Sequence, residues 1–262
     1  MIGGLTPYAV AFTRGVLRAV SRPGDLAVRV GFYLIILIVT GSLWRAALDA
    51  NGGELGGYDK VGLLWYIAAA QAAQLGPRPR TIEEVGDEIG AGTVAVQMLR
   101  PVSVVGLRIA SELGEAMLRV VVALLVAAVG LFLTVGAPHS AAAALLALPA
   151  ALLGCTVSVT AQHAMGGIAF WLLDARATWF LWSKLVFLLG GLLIPLELLP
   201  AGIGNVAKVL PWAAMTYVPG RLASGDLDPL LIVDQLAWLA ISAVLAAGVF
   251  ALGERRLQVV GG

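Results

Sequence analysis

The chain has 262 residues, of which 60% are hydrophobic and only 13% carry a charge. Soluble globular proteins contain about 25% charged residues, and a soluble chain of this size could not bury the apolar excess in one core. The composition therefore excludes an ordinary soluble enzyme, a disordered chain and a disulfide scaffold. The 17 basic and 16 acidic residues nearly cancel, so no nucleic-acid partner is expected. What remains is a protein of the lipid bilayer.

The N-terminal segment, residues 6–21, is predicted to be an amphipathic helix in the membrane interface. Four apolar side chains fall on one helical face and three basic ones elsewhere: Tyr8, Phe12, Val16 and Ala19, against Arg14, Arg18 and Arg22. Such a helix buries its apolar face among acyl chains and keeps its basic side chains near the headgroups. The alternative is a solvated lead-in to the first membrane span.

Six segments are apolar and long enough to be membrane spans, since about 20 helical residues cross a hydrocarbon layer roughly 30 Å thick. They are residues 28–48, 58–75, 116–135, 141–173, 179–196 and 230–252. The third helix is expected to begin earlier, near Val104, and the fourth is long enough to require a tilt or a kink. Because backbone groups in lipid must be paired internally, the sequence predicts an all-α polytopic membrane protein.

The basic residues predict the orientation. With a cytoplasmic N-terminus, only four of them fall on the outer side: Arg45, Lys60, Lys208 and Arg221. We therefore predict that both termini are cytoplasmic, and the bias toward Ala, Gly, Leu and Val indicates a bacterial cell membrane.

The sizeable cytoplasmic segment, residues 76–103, contains a predicted helix at 81–90. Thr81 and Glu84 have the spacing of a capping box, and four acidic residues alternate with three apolar ones: Glu83, Glu84, Asp87 and Glu88, with Ile82, Val85 and Ile89. A charge run is usually a solvated face. An acidic helix on this side is equally consistent with a docking surface for a soluble partner, and the pattern leaves both interpretations open.

The segment after the fifth span is predicted to form an outer re-entrant hairpin, residues 197–220. Pro195, Pro200, Pro211 and Pro219 interrupt it, and Glu197 lies between the first two. Its apolar pieces, 203–210 and 212–218, are too short to cross the bilayer. The hairpin would cap an outward exit; the alternative is a surface loop packed on the bundle.

Polar residues inside spans are costly, which makes Gln71, Gln162 and His163 candidates for a transport path or for bonds between helices. Glu112, Glu115 and Arg119 follow one another at spacings of three and four. Glu115 and Arg119 are predicted to pair, and this part of the helix is placed at the cytoplasmic interface.

The sequence carries no catalytic or nucleotide-binding motif. None of its three lysines follows a glycine, so the P-loop pattern is absent, and neither H-E-x-x-H nor G-x-S-x-G occurs. His139 and His163 are far apart in the chain, so no metal site is expected. We predict a non-enzyme, with no catalytic residue, metal or cofactor on this chain.

Two segments resemble the membrane subunits of the ABC-2 transporter family. Residues 85–103, which contain Leu99-Arg100-Pro101-Val102-Ser103, resemble the cytoplasmic loop of its six-span group. Residues 192–200, continuing to Leu210-Pro211-Trp212, resemble its outer hairpin after the fifth span. The span spacing and the length also match, so the resemblance implies a single transmembrane domain over residues 1–262.

This resemblance implies the permease of an ATP-driven exporter, acting in efflux. It would pair with a second membrane subunit, identical or homologous, and two separate ATP-binding subunits would hold ATP and Mg²⁺. The helix at 81–90 would be the coupling helix that fits a cleft on the ATPase. The implied contact set is Thr81, Glu83, Glu84, Asp87, Glu88, Arg100 and Pro101.

Two other functions compete with this one. An ion-gradient-driven secondary transporter would need mid-membrane acidic residues and two repeated halves, and neither is evident. An integral-membrane lipid-modifying enzyme would need an Asp or His cluster at the membrane face, for which the sequence offers only Asp174 beside Arg176. Recovery of an ATP-binding protein with the purified chain would separate the three.

Overall fold

The computed structural model describes residues 6–97, 102–172 and 175–260, which form a helical bundle with one small hairpin. Its elements are α1 (Thr6–Val20), α2 (Pro23–Ala50), β1 (Glu54–Leu55), β2 (Tyr58–Asp59), α3 (Lys60–Leu75), α4 (Thr81–Gly90), α5 (Thr93–Gln97), α6 (Val104–Thr134), α7 (Ala141–Gly167), α8 (Arg176–Leu189), α9 (Ala201–Lys208), α10 (Pro211–Ser224) and α11 (Leu230–Val260). Short 3₁₀ turns follow α7, at Ile168–Phe170, and precede α9, at Leu196–Leu198. The predicted all-α class is confirmed.

Four stretches of the described chain are long and apolar enough to cross a membrane: Pro23–Ala50, Val104–Thr134, Ala141–Phe170 and Leu230–Arg256. They coincide with the first, third, fourth and sixth predicted spans. Helices α3 and α8 occupy the other two positions, but with 16 and 14 residues they rise only about 24 and 21 Å. A total of six spans therefore stays a prediction.

Helix α3, at the position of the second predicted span, lies at the centre of the bundle. Eleven of its 16 residues are buried, because α2, α6, α7 and α10 surround it. Its Tyr66 is fully buried and donates a hydrogen bond to the Gly191 carbonyl at 2.8 Å. A helix that is apolar on all sides needs such an enclosed position.

Helix α2 has the opposite character. Only 17% of its most apolar window is buried, against 50% for α7. Large apolar side chains such as Phe32, Ile35 and Ile38 are more than half exposed. An apolar surface of this size is stable only against lipid or another protein.

The predicted second span begins slightly too early, because residues 58 and 59 form a strand. Leu55 pairs with Tyr58 across a turn in which Gly56 and Gly57 have φ of 58° and 82°, the backbone that a two-residue hairpin requires. Asp59 then ends the strand and caps α3, since its carboxylate accepts the Gly62 N–H at 2.9 Å.

The predicted fifth span, 179–196, was wrong at its C-terminal end, because α8 ends at Leu189. Gly191 has φ of 71°, and a Cβ there would lie 2.5 Å from the Tyr66 hydroxyl. The chain can turn here only because residue 191 is glycine. It continues through the second 3₁₀ turn and α9 into α10, which begins at Pro211 and extends past the predicted limit of 220.

Helix α1 lies within the predicted limits, and the face that carries Tyr8, Phe12, Val16 and Ala19 is buried or half-buried. That face packs against α6. Gly15 of α1 lies against the Ser111 carbonyl, and Gly114 of α6 lies against the Phe12 carbonyl. Small residues at such a crossing let two helix backbones approach closely. The location of α1 in the membrane interface stays a prediction.

Candidate functional site

The charged residues of α6 form the centre of a cluster that joins four elements. This charge cluster consists of Arg18 of α1, Arg78 and Thr81 at the entry to α4, Glu112, Glu115 and Arg119 of α6, and His163 of α7. The two acidic residues divide the contacts between them. Glu115 forms ion pairs with the three arginines, and Glu112 accepts hydrogen bonds from the start of α4.

Glu115 accepts hydrogen bonds from three guanidinium groups. Arg18 Nε lies 2.8 Å and Arg78 Nη2 2.9 Å from its Oε1, while Arg119 Nη2 lies 2.9 Å from its Oε2. The predicted Glu115–Arg119 pair is thus confirmed, but both side chains are buried in protein, with 9% and 6% exposed. Since removal of one partner leaves a buried charge unpaired, this junction depends on all of its members.

Glu112 holds the first residue of α4. The Thr81 hydroxyl donates to its Oε1 at 2.9 Å, and the backbone N–H of Arg78 donates to the same oxygen at 3.0 Å. His163 Nε2 lies 3.8 Å from its Oε2. The start of α4 is therefore tied to α6 and adjoins α7.

The predicted capping box at Thr81 and Glu84 was wrong. The residue before α4 is Arg80, which makes no side-chain cap, and Thr81 is already helical. Its hydroxyl binds the carboxylate of Glu112 instead, because a hydrogen bond to a charged acceptor is about twice as strong as one to a neutral group.

The four acidic residues of α4 differ in their surroundings. Glu83 and Glu84 form ion pairs of 3.4 Å with Arg80 and Arg78, and Glu88 pairs with Arg108. Glu84 and Asp87 are exposed, while Glu83 and Glu88 are half-buried. The outward acidic surface is therefore centred on Glu84 and Asp87. Arg100 and Pro101 of the predicted contact set lie outside the described residues.

The apolar face of α4 packs on the bundle as its sequence predicts, with Ile82, Val85 and Ile89 buried. A Cβ at Gly166 of α7 would lie 2.7 Å from the Val85 Cβ, so the two helices meet without space for a further methyl group. Before α4, the Trp179 indole of α8 donates to the Pro79 carbonyl. Helix α4 and the turn before it thus contact α6, α7 and α8 together.

Two of the predicted polar candidates make contacts away from the charge cluster. Gln71 Nε2 donates to the Thr40 hydroxyl at 3.0 Å and so links α3 to α2. Gln162 Nε2 donates to Ser158 within α7. Of the three candidates, the structure brings only His163 to the charge cluster, where its Nδ1 also bonds the Val159 carbonyl.

A second polar cluster lies at the opposite ends of the helices, around Glu197. This tyrosine–glutamate cluster consists of Tyr58, Glu197, Lys208, Tyr217 and Arg221. Tyr58 and Tyr217 donate to the two Glu197 oxygens at 3.0 and 2.5 Å, and Lys208 Nζ lies 3.2 Å away. The cluster therefore fastens the β1–β2 hairpin to α9 and α10.

Burial raises the pKa of Glu197, but the Tyr217 hydrogen bond and the charges of Arg221 and Lys208 outweigh burial and hold the pKa below that of a free glutamate. Pro195 and Pro200 flank the 3₁₀ turn that carries Glu197, and Pro211 is the first residue of α10. These prolines end one element and start the next.

Sequence reasoning singled out Glu197 and the three α6 residues but missed their distant partners. Arg18 and Arg78 are 97 and 37 residues from Glu115, and Tyr58 is 139 residues from Glu197. Pairs separated by so many residues produce no recognisable pattern in the local sequence. The one available signal was that several buried carboxylates must each find cationic or hydroxyl partners.

Comparison with known proteins agrees with the resemblance seen in the two sequence segments. A family model described as ABC-2 family transporter protein matches residues 34–261. The match includes α4, all of α6 and the outer segment, and leaves α1 outside. No curated protein matches the chain.

Proposed function

Because this chain belongs to the ABC-2 family of transporter proteins, whose members are generally the permeases of ABC transporters, we propose that it is the membrane permease of an ATP-driven exporter. Members of the family generally lack a nucleotide site of their own and associate with ATP-binding subunits. The four long apolar helices agree with a multi-pass membrane protein. Transport outward, as efflux from a bacterial cell, is part of the proposal.

The proposed topology has six spans: α2, α3, α6, α7, α8 and α11. The short α3 is enclosed by protein, so it does not have to match the full hydrocarbon thickness by itself. Both termini and α4 would face the cytoplasm, with the β1–β2 hairpin outside. The polypeptide from the second 3₁₀ turn through α10 would form the re-entrant outer hairpin over the exit.

The observation that carries the proposal is the attachment of α4 to three helices. Its first residue binds Glu112 of α6, its apolar face meets α7, and the turn before it bonds to Trp179 of α8. Glu84 and Asp87 are exposed beside these contacts, and Glu84 is 52% exposed although it pairs with Arg78. A force applied to this acidic surface would be transmitted through these contacts to α6, α7 and α8.

In the proposed assembly, each of two ATP-binding subunits holds ATP and Mg²⁺, and one of them receives α4. A second membrane subunit, a copy of this chain or a homologue, completes the path. ATP-driven closure of the two ATP-binding subunits would displace α4 and thereby rearrange the spans.

The test is recovery of the ATP-binding subunits with the tagged chain in mild detergent. We expect the wild-type chain to retain them and the double variant Glu84→Lys, Asp87→Lys to lose them. The matched control is Glu54→Lys, another exposed acidic residue in the β1–β2 hairpin, which should retain them. Equal recovery in all three would overturn the coupling role of α4.

Topology is tested by labelling single cysteines with a membrane-impermeant maleimide on intact cells. The native Cys155 is buried, so it contributes little background. We expect Glu54→Cys to be labelled from outside and Asp87→Cys only after the membrane is opened. External labelling of Asp87→Cys would exclude an ATP-driven mechanism through α4.

A further inference from the structure

A cavity of about 550 Å³ opens between α1, α5 and the start of α6. Three guanidinium groups line it, those of Arg14, Arg18 and Arg108, and no carboxylate of the described chain is among its lining residues. Its remaining wall includes apolar side chains, among them Val10, Val104 and Leu107. A site that combines three guanidinium groups with an apolar wall is complementary to an anionic amphiphile.

The arginines retain hydrogen-bonding capacity for a ligand. A guanidinium has five N–H donors. Arg18 directs its Nε to Glu115 and its Nη2 to Ser111, while Arg108 directs its Nη2 to Glu88 and Gln97. Arg14 is exposed at the rim of the cavity and can direct its donors to a ligand. Planar guanidinium groups of this kind suit phosphate oxygens, which accept paired hydrogen bonds.

From this cavity we infer a binding site for the phosphate of an anionic membrane phospholipid. A lipid is favoured over free phosphate because apolar surface continues from the cavity along the outer face of α1. Val10, Leu17 and Val20 are 44%, 58% and 58% exposed there. Acyl chains would cover that face while the headgroup enters between the helices, as basic pockets beside spans do for acidic lipids.

The site has a physical consequence for α1. Arg18 already joins α1 to Glu115 of α6, and Arg108 joins α6 to Glu88 of α4. A phosphate bound by Arg14, Arg18 and Arg108 would add a further connection between α1 and the start of α6, and through Arg108 to α4. The inference rests on the membrane placement in the proposed function but not on the source of energy.

The test uses the full chain, purified alone, delipidated in detergent and titrated with phosphatidylglycerol or phosphatidylcholine while bound lipid is counted by native mass spectrometry. We expect phosphatidylglycerol to bind more tightly, and Arg14→Gln to weaken that binding about tenfold, since a charge-assisted hydrogen bond is lost. The matched control is Arg22→Gln, an exposed arginine that does not line the cavity, which should bind as the wild type does. A thermal melt confirms that both variants are folded.

Three outcomes would overturn the inference. The first is equal lipid binding by the wild type and Arg14→Gln, or an equal loss in Arg22→Gln. The second is displacement of the lipid by inorganic phosphate at equal concentration, which would assign the arginines to a free anion. The third is a loss of ATP-binding subunits in Arg14→Gln with lipid binding unchanged, which would assign them to a protein contact. Because lipid binding is measured without those subunits, a failure of the proposed coupling mechanism is distinguishable from a failure here.

Discussion

The hydroxyl of Thr81, the first residue of α4, donates a hydrogen bond at 2.9 Å to the carboxylate of Glu112, 31 residues further along the chain in α6. Thr81 is 2% and Glu112 3% exposed, so water does not compete for the bond. Through this contact α4, whose exposed surface carries Glu84 and Asp87, is fixed to a long apolar helix.

Thr81→Val should weaken the attachment of α4 while keeping the shape of the side chain. The Glu112 carboxylate loses a donor, and hydrogen bonds to charged groups contribute about 1.5–3 kcal/mol, so the free energy of unfolding should fall by about that amount. Thermal unfolding in detergent measures it. Thr81→Ser keeps the hydroxyl and should remain close to the wild type; if it falls as far as Thr81→Val, packing and not the hydrogen bond is responsible.

Glu115→Gln should be far more damaging, because it leaves three guanidinium groups without their shared counter-charge. Breaking a buried ion pair from one side costs about 3–5 kcal/mol. Glu84→Gln, which removes an exposed partner of Arg78, should cost less than about 1 kcal/mol. The two variants are compared by thermal unfolding, and similar midpoints would contradict the burial of Glu115.

Gly114→Ala should separate α1 from α6. The new methyl group would meet the Phe12 carbonyl of α1, a backbone atom that cannot rotate away, and overpacking of this kind costs about 1–3 kcal/mol. Gly130→Ala in the same helix meets nothing within 4 Å and should be neutral or stabilising. Protease sensitivity of the α1–α2 junction reports the separation; equal sensitivity in both variants would refute it.

The tyrosine–glutamate cluster should make stability depend on acid. The folded-state pKa of Glu197 is below its unfolded value, so its contribution is complete above the unfolded value, about 4.3. It is lost as the pH falls through the folded pKa. Glu197→Gln should therefore lower stability at neutral pH and flatten the decline below about pH 4. Thermal unfolding between pH 3 and 7 measures both effects. If Glu197→Gln loses stability below pH 4 as steeply as the wild type does, Glu197 is not the cause of that loss.

The elements that the sequence predicts well are those with a local cause. Proline positions before Thr81 predict the entry to α4, and continuous apolar runs predict α2, α6, α7 and α11. The extent of α8 was misjudged because the residues after Gly191 are also apolar. Composition alone does not distinguish an apolar turn packed on Tyr66 from a continuing helix.

In the candidate site, too, the sequence predicts the features that have a local cause and misses those that depend on distant residues. The amphipathic pattern of α4 predicts its buried and exposed faces, because helical period alone decides them. The hydrogen-bond partner of Thr81 depends on where Glu112 lies in space. Local spacing predicts only a capping box between Thr81 and Glu84. Arg18 was assigned to the headgroup layer for the same reason, although its Nε binds Glu115.

The enclosure of α3 constrains how the protein is made. Residues 60–75 leave the ribosome before α6, α7 and α10 exist, yet those helices supply most of the wall around α3. The hydroxyl of Tyr66, for example, has no hydrogen-bond acceptor until Gly191 has been synthesised. With the proposed topology, α3 would therefore stay beside α2 or within the insertion machinery during translation, and we expect quality-control proteases to remove nascent chains that stop before residue 211.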